Sequence, residues 1–475
     1  MKSKMRSAAA VLVALVFSAA STLALATNGY FTHGVGTESK GMAGTGIGSN
    51  ANMGAVMTAS NPALGVFSGD GWQAGLSIFS PRRSYNASEQ SSGGIPIDIG
   101  GGIFLPTHSL SAGEIDSSSE YFPIPYVAKN WSLANEGNIS FAFYGRGGMN
   151  TDWDDSNAQA TSVLCWNPDR DGLPQRPITG PGPYCAGDAG VDLMQAFIAL
   201  NYSAMVGDNF SWGVGPVFAI QAFEATGVQT FAPVTKTTAT TGDPSAVASL
   251  SNNGHDMSFG IGFAGGIWWG MTDTVSLGLA YQSKMSMGEF DDYADLFAQA
   301  GGFDIPSSVK AGLSIRATDA LRINFDVEYI GYSEVDSISN PMLNLFGCPT
   351  LPLGGTSVEP CLGGEAGAGF GWEDMTIYKL GFEWQSDESN IWRFGYSHGE
   401  QPIQSADVLF NILAPGVMEQ HFTLGWTRMR SNGSAWNVSF MYAPENTVTG
   451  PSFFDPLQTI DLKMSQIELE ISYSW

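Results

Sequence analysis

The sequence predicts an all-β protein, a transmembrane antiparallel β-barrel of fourteen strands. Three observations carry the prediction. The first residues have the form of an export signal. Charged residues are only 14% of the 475-residue chain, against 59 glycines and 12% aromatics, whereas soluble domains carry about 25% charge. Beyond residue 26 there is no apolar run long enough for a membrane helix; stretches of about ten residues alternate in polarity instead, many bounded by aromatics.

Taken in order, residues 1–6 carry Lys2, Lys4 and Arg6, residues 7–23 are small and apolar, and Ala24-Leu25-Ala26 forms an A-x-A cleavage site. This is a secretory signal peptide at 1–26 rather than a retained membrane helix, because the apolar run is short and no stop-transfer pattern follows. Next comes NGYFTHGVGTESKGMAGTGIG (28–48). Its glycines make it poor both as helix and as strand, so it reads as backbone chosen for close approach and unusual dihedrals.

The alternating stretches are 71–80, 137–146, 191–206, 210–223, 256–270, 273–285, 309–318, 321–332, 375–387, 391–398, 419–430, 435–443 and 465–475, with weaker ones at 95–104 and 119–129. Period two means strands with two unlike faces. One face carries large rings, such as Phe141 and Phe143 or Phe394 and Tyr396, and the other carries small or lone polar groups. A wall between lipid and a closed lumen has that character, and a closed barrel leaves no unpaired edge in hydrocarbon. Fifteen stretches and an even-numbered barrel imply one false strand. Trp212, Trp268, Trp269, Tyr281, Tyr329, Trp384, Trp392, Trp426 and Trp436 fall near strand ends, as interfacial rings do.

Short turns rich in Asp, Asn, Gly and Ser alternate with longer connections at 146–190, 224–255, 285–308, 333–373, 400–418 and 444–464, which assigns the long ones to the outside. Cys165 and Cys185 share one such loop and Cys348 and Cys361 another, so local disulfides are expected in each. The five histidines show no ligand cluster, so neither metal nor cofactor is expected. The acidic runs 151–155 and 288–297 read as solvated loops, with calcium binding as the alternative. In the second, Phe290, Tyr293, Leu296 and Phe297 have helical spacing, which predicts a short amphipathic helix with an apolar side open to a greasy ligand. NILAP (411–415) is a second apolar loop segment. The net charge of −25 excludes nucleic acid as a partner. Motifs of serine hydrolases, zinc proteases and phosphate-binding loops are missing from the sequence, so no enzyme is expected.

The N-terminal segment, Asn61-Pro62-Ala63, LGLAYQSKM, DVEYIGYSEVDSI, GWEDMTIYKLGFEW, FGYSHGEQPI and VLFNILAPGVMEQHFTLGW together resemble the FadL/OmpP1/TodX outer-membrane transporters of long-chain fatty acids and other hydrophobic compounds. The resemblance implies a monomeric barrel in the Gram-negative outer membrane, in contact with its lipid and lipopolysaccharide, with residues 69–475 as barrel and 27–68 as a hatch in the lumen. Asn28, Gly29, Tyr30, Phe31, Gly34, Gly36, Gly41, Met42, Gly44 and Gly46 match the family's hatch segment, and Asn61, Pro62 and Ala63 its short motif. It further implies outer-loop capture, for which Phe290, Tyr293, Leu296 and Phe297 are the candidates, then an internal pocket, hatch gating and lateral release at a kinked strand. Arg146, Lys284, Lys310, Arg316 and Lys379 are the basic residues near strands; none matches a carboxylate-binding position, so a fatty acid, an alkane or an aromatic hydrocarbon all remain open as substrate. A structural or adhesive barrel and a diffusion porin are the alternatives.

Overall fold

The computed structural model describes residues 28–134, 137–165 and 177–475; the signal peptide lies outside them. Fourteen strands build the wall: β1 Gly71–Ala87, β2 Phe122–Ser132, β3 Gly137–Trp153, β4 Ala189–Val206, β5 Phe210–Thr226, β6 Asp256–Gly270, β7 Val275–Gln282, β8 Ser308–Arg316, β9 Leu321–Ile330, β10 Met375–Gln385, β11 Asn390–Gly399, β12 Gln420–Met429, β13 Ala435–Ser452 and β14 Asp455–Ser474. Each pairs antiparallel with its neighbours in sequence. β14 returns to β1, with Gln73 opposite Ser474 and Ala87 opposite Ile460, and the sheet closes.

The faces are inverted relative to a soluble protein. On β14, Ile467, Leu469 and Ile471 are exposed, while Gln466, Glu468, Glu470 and Ser472 between them are buried. On β6, Phe259, Ile261 and Phe263 lie outward in the same way. An apolar exterior over a polar interior is the pattern of a wall that meets lipid.

Thirteen of the fifteen stretches expected as strands lie in β1 and β3–β14, and 119–129 supplies β2. The false one is 95–104. Its isoleucines alternate, but Gly100, Gly101 and Gly102 all take positive φ, and the segment turns back within a loop as a small hairpin, Ile97–Asp98 with Phe104–Leu105. The expected loop at 444–464 is also corrected: β13 and β14 continue through it as a hairpin, Pro451 opposite Thr459, and there the faces exchange, with Ile460, Leu462 and Met464 buried inside and Thr459, Asp461 and Lys463 turned outward. Nor is 288–297 an amphipathic helix. It holds one 3₁₀ turn, Asp291–Tyr293, and Phe290, Tyr293 and Phe297 all pack on Phe223 of β5. Cys165 bonds Cys185, and Cys348 bonds Cys361, each pair within one long connection.

Residues 28–68 contain only short helical turns, Thr37–Lys40, Ala55–Ala59 and Pro62–Phe67. Their partners lie on inward faces of strands widely spaced around the sheet, from Gln73 on β1 to Ser211 on β5, Asp326 on β9, Thr423 on β12 and Glu470 on β14.

Candidate functional site

The base of the site is this N-terminal segment and the charges that seat it. Lys40 pairs with Glu468 and, at 2.7 Å, with Glu470, and Glu470 also accepts from Thr37 (2.7 Å). The backbone N–H groups of Gly46 and Ile47 both donate to Asp326 Oδ2 (2.8 and 3.0 Å). Lys379 donates to the His33 carbonyl oxygen (2.8 Å), and Arg393 to that of Asn52 (2.9 Å). Asn61 donates from Nδ2 to the carbonyls of Ile47 (2.9 Å) and Ile267 (3.2 Å), while its Oδ1 accepts from the Ala63 N–H (3.1 Å). Pro62 opens the next helical turn, and the Ala63 carbonyl accepts from Ser211.

Glycine is required where this backbone meets itself or the wall. A side chain at Gly44, at φ +82°, would place Cβ 1.9 Å from the His33 carbonyl oxygen, and one at Gly41 would come 2.8 Å from Gly425 Cα on β12. Gly34 faces Gly44, Gly36 packs on Val56, and Met42 lies against Gly381 and Gly395.

The wall is interrupted beside Tyr30 and Phe31. β2 and β3 pair from Ser132/Asn138 only as far as Tyr126/Tyr144. Above that point β2 keeps its ladder to β1 through Phe122, and β3 keeps its ladder to β4. The β2 sequence there is Phe122-Pro123-Ile124-Pro125. Two prolines of one parity remove two donors from one edge. On β3 the register shifts at Arg146, which has no opposite residue on β4; this is a bulge, and bulges bend strands. Phe31 bridges to Gly147, Thr32 N–H donates to the Arg146 carbonyl (2.8 Å) and Gly148 N–H to that of Tyr30 (3.0 Å). Contact between the two sides of the wall resumes where Ser118 N–H donates to Asp152 (2.9 Å).

Above the base lie two apolar cavities. The inner has about 480 Å³ of empty space, with Phe223, Phe231, Leu296, Phe297, Phe410 and Leu413 among its walls. The outer, about 620 Å³, lies among the long connections and is bounded by Ile97, Ile99, Leu105, Phe346, Phe453 and Phe454. Phe454 and Phe231, ring centres 6.4 Å apart, stand between them. Of the residues expected to form an outer groove, Leu296 and Phe297 line the inner cavity. Phe290 and Tyr293 are fully buried against Phe223, at 5.5 and 4.9 Å between ring centres. Leu413 of the NILAP segment lines the cavity, and Asn411 accepts from Trp372 Nε1 (2.6 Å).

Arg146, Lys310 and Lys379 converge on Glu328 (3.5, 3.4 and 2.7 Å), while Lys284 pairs with Asp304 and Arg316 bonds a turn carbonyl. Sequence reasoning overlooked Arg83, although strand parity could have found it: Trp72, Leu76 and Ile78 face out, so the odd positions of β1 face in. In the loops, His255 lies between Asp192 (2.9 Å) and Glu224 (3.1 Å); the hydrogen bond to Asp192, more than burial opposes it, raises its pKa above the usual value. Asp154, Asp155 and Asp188 bring carboxylate oxygens within 4.8 Å of one another.

The closed barrel has counterparts among known structures. The Pseudomonas putida toluene transporter TodX superposes with a TM-score of 0.60 at 16% identity, covering 93% of this chain and 98% of TodX. A Pseudomonas aeruginosa FadL homologue gives 0.58 at 14% identity, over 94% and 98%, and the Ralstonia pickettii toluene transporter TbuX 0.54 at 14%, over 93% and 98%. No curated protein sequence matches. At such identities the superpositions establish the fold; the family follows from the sequence itself, for the model of the outer membrane protein transport proteins (OMPP1/FadL/TodX) matches residues 177–449, and the chain belongs to that family of non-catalytic outer-membrane barrels.

Proposed function

We propose that the protein, as a monomer, carries hydrophobic molecules inward across the outer membrane and releases them sideways into the membrane, with residues 27–68 acting as a hatch. The observation that carries this reading is the interrupted β2–β3 pairing beside a hatch segment that bonds to the β3 bulge. Molecules collect in the outer cavity, pass the Phe454/Phe231 partition into the inner one, and leave between β2 and β3. Lateral release is favoured thermodynamically, because each CH₂ returned to water costs about 0.8 kcal/mol, so no energy source is needed. A shift of residues 28–32 would widen or close the gap, since the same backbone is hydrogen-bonded to Arg146 and Gly148.

Two of the superposed proteins are described as toluene transporters, which supports a hydrophobic cargo here. A diffusion porin is the poorer reading, because a water-filled path is at odds with the buried ion pairs of Lys40 and Lys379 at the base. The test is uptake by cells lacking their own hydrophobic transporters, using radiolabelled hexadecane and palmitate, with a small sugar as control. Uptake of at least one hydrophobic probe about tenfold over vector is expected; sugar permeation without hydrophobic uptake would overturn the reading.

A further inference from the structure

Phe231 stands where the two apolar cavities approach each other. It lies on the connection between β5 and β6, in the 3₁₀ turn Gln229–Val234, and lines the inner cavity. Tyr184 meets its ring edge-on at 5.3 Å between centres and Phe410 at 5.1 Å. Phe454, which lines the outer cavity, is 6.4 Å away. These three rings come from three different connections, β3–β4, β11–β12 and β13–β14, so together they frame the Phe231 ring from separate parts of the chain.

The frame is fixed by hydrogen bonds. Tyr184 Oη donates to the Leu409 carbonyl (2.9 Å), which ties Tyr184 to the residue before Phe410. The same segment is bonded to β3, where Trp153 Nε1 donates to the Ile412 carbonyl (3.1 Å) and Thr151 Oγ1 to that of Leu413 (2.8 Å). The backbone beneath Phe231 is held as well. Val228 N–H donates to Ser251 Oγ (3.1 Å), the Ala232 carbonyl accepts from the Thr235 and Thr238 hydroxyls (3.0 and 2.6 Å), and Leu362 N–H donates to the Val234 carbonyl (3.1 Å). The Phe231 side chain, by contrast, is held by apolar contact alone and borders the inner cavity's 480 Å³ of empty space. Rotation between staggered wells moves a ring without moving its backbone, and a ring that borders a void has few contacts to give up on that side.

We propose that Phe231 is a specificity-determining residue of the passage, a swinging ring whose frame of Tyr184, Phe410 and Phe454 admits hydrocarbon of narrow cross-section, an unbranched chain or a single flat ring, and holds back globular hydrocarbon of the same carbon number. The opening left when the ring swings into the inner cavity is the space the ring itself occupied, so its bore is that of one benzene ring. An extended chain of CH₂ groups fits such a bore end-on. A rigid cage fits only if the frame moves, and packed interiors do not yield in that way without cost. Charge plays no part in the selection, because the four rings carry none and the Tyr184 hydroxyl is committed to Leu409.

This inference rests on the transport reading, and its test separates the two. Cells lacking their own hydrophobic transporters and producing the full-length protein are given radiolabelled n-decane and adamantane, which share ten carbons and differ in cross-section, with uptake counted above vector. The wild-type protein is expected to take up n-decane at least tenfold faster than adamantane. Phe231→Ala should raise adamantane uptake until the two rates agree within about twofold, with a small sugar still excluded, and Phe231→Leu should give an intermediate ratio. A residue that served only for packing would lower both rates together. Equal wild-type uptake of the two hydrocarbons overturns the filter without needing any variant, and so does an unchanged ratio in Phe231→Ala or a gain of adamantane matched by entry of the sugar. If the wild-type protein takes up neither hydrocarbon, the transport reading fails with it.

Discussion

Lys40 shows how much the seating of the N-terminal segment depends on single residues. It is buried between Glu468 and Glu470, and removing it leaves two carboxylates in the interior without their cation. Breaking a buried pair in this way costs about 3–5 kcal/mol. Lys40→Met is expected to loosen the segment while the closed wall survives, seen as a several-fold rise in ion conductance across planar bilayers with unchanged heat-modifiable gel mobility; conductance at the wild-type level would contradict it. Gly44 is constrained by geometry instead of charge, because both its φ and its contact with His33 exclude Cβ. At the outer face His255 makes stability depend on pH. Its pKa is raised in the folded state, so its contribution is complete below the unfolded value of about 6.5 and is lost as pH rises through the higher folded value. Proteolytic nicking of the 227–255 connection should therefore increase between pH 6 and pH 9, and His255→Gln should be nicked alike at both.

Among the elements, β2 and β3 differ most from a regular wall. The prolines at 123 and 125 deny β2 two donors, and the Arg146 bulge adds a residue to β3. The β1–β2 ladder runs on past this point to Phe122, and β3–β4 pairing resumes on both sides of the bulge. Restoring the donors with the double variant Pro123→Val and Pro125→Val should extend the β2–β3 ladder and lower uptake of the hydrophobic probe about three- to tenfold. Amide exchange would show new protection at 122–125; protection gained with uptake unchanged would remove the gap from the mechanism. The β13–β14 hairpin deviates in the opposite direction, its pairing continuing well beyond the stretch recognised in the sequence. There the outward face meets water while Ile460, Leu462 and Met464 join the apolar interior, so the polarity of the two faces is exchanged relative to the membrane zone.

At the scale of the whole molecule, the wall is a sheet closed by hydrogen bonds between strands, whereas residues 28–68 are held by side chains, by glycine contacts and by backbone bonds to β3 alone around residues 30–32, which predicts that the wall folds without them. Deleting 27–48 should leave a folded barrel in the membrane, judged by gel mobility, while changing hydrophobic uptake; unaltered uptake would contradict the hatch role. The strands were legible because alternation is local. Each residue of β14 from Gln466 to Ser472 declares its face by its own polarity, whichever strands become its neighbours. The same locality explains the mistake at 95–104, where isoleucines alternate in a loop that three glycines fold back. The candidate site was legible only in fragments. Leu296 and Phe297 stood out by spacing, yet their cavity also needs Val191, Phe370 and Phe410, far apart in the chain, and Phe290 and Tyr293, which share that spacing, pack on Phe223 outside its lining. Arg83 was indistinguishable from Arg82 until the register put one outside and one inside. By itself, then, the sequence determined a lipid-facing wall of alternating strands and the two loop disulfides, because each follows from residues close together in the chain, while the number of strands needed the closure of the barrel as well. Only the tertiary structure decided where the wall is interrupted, which aromatic residues enclose a cavity and which interior cations are paired with an acid, because these depend on distances between residues brought together by closure of the sheet.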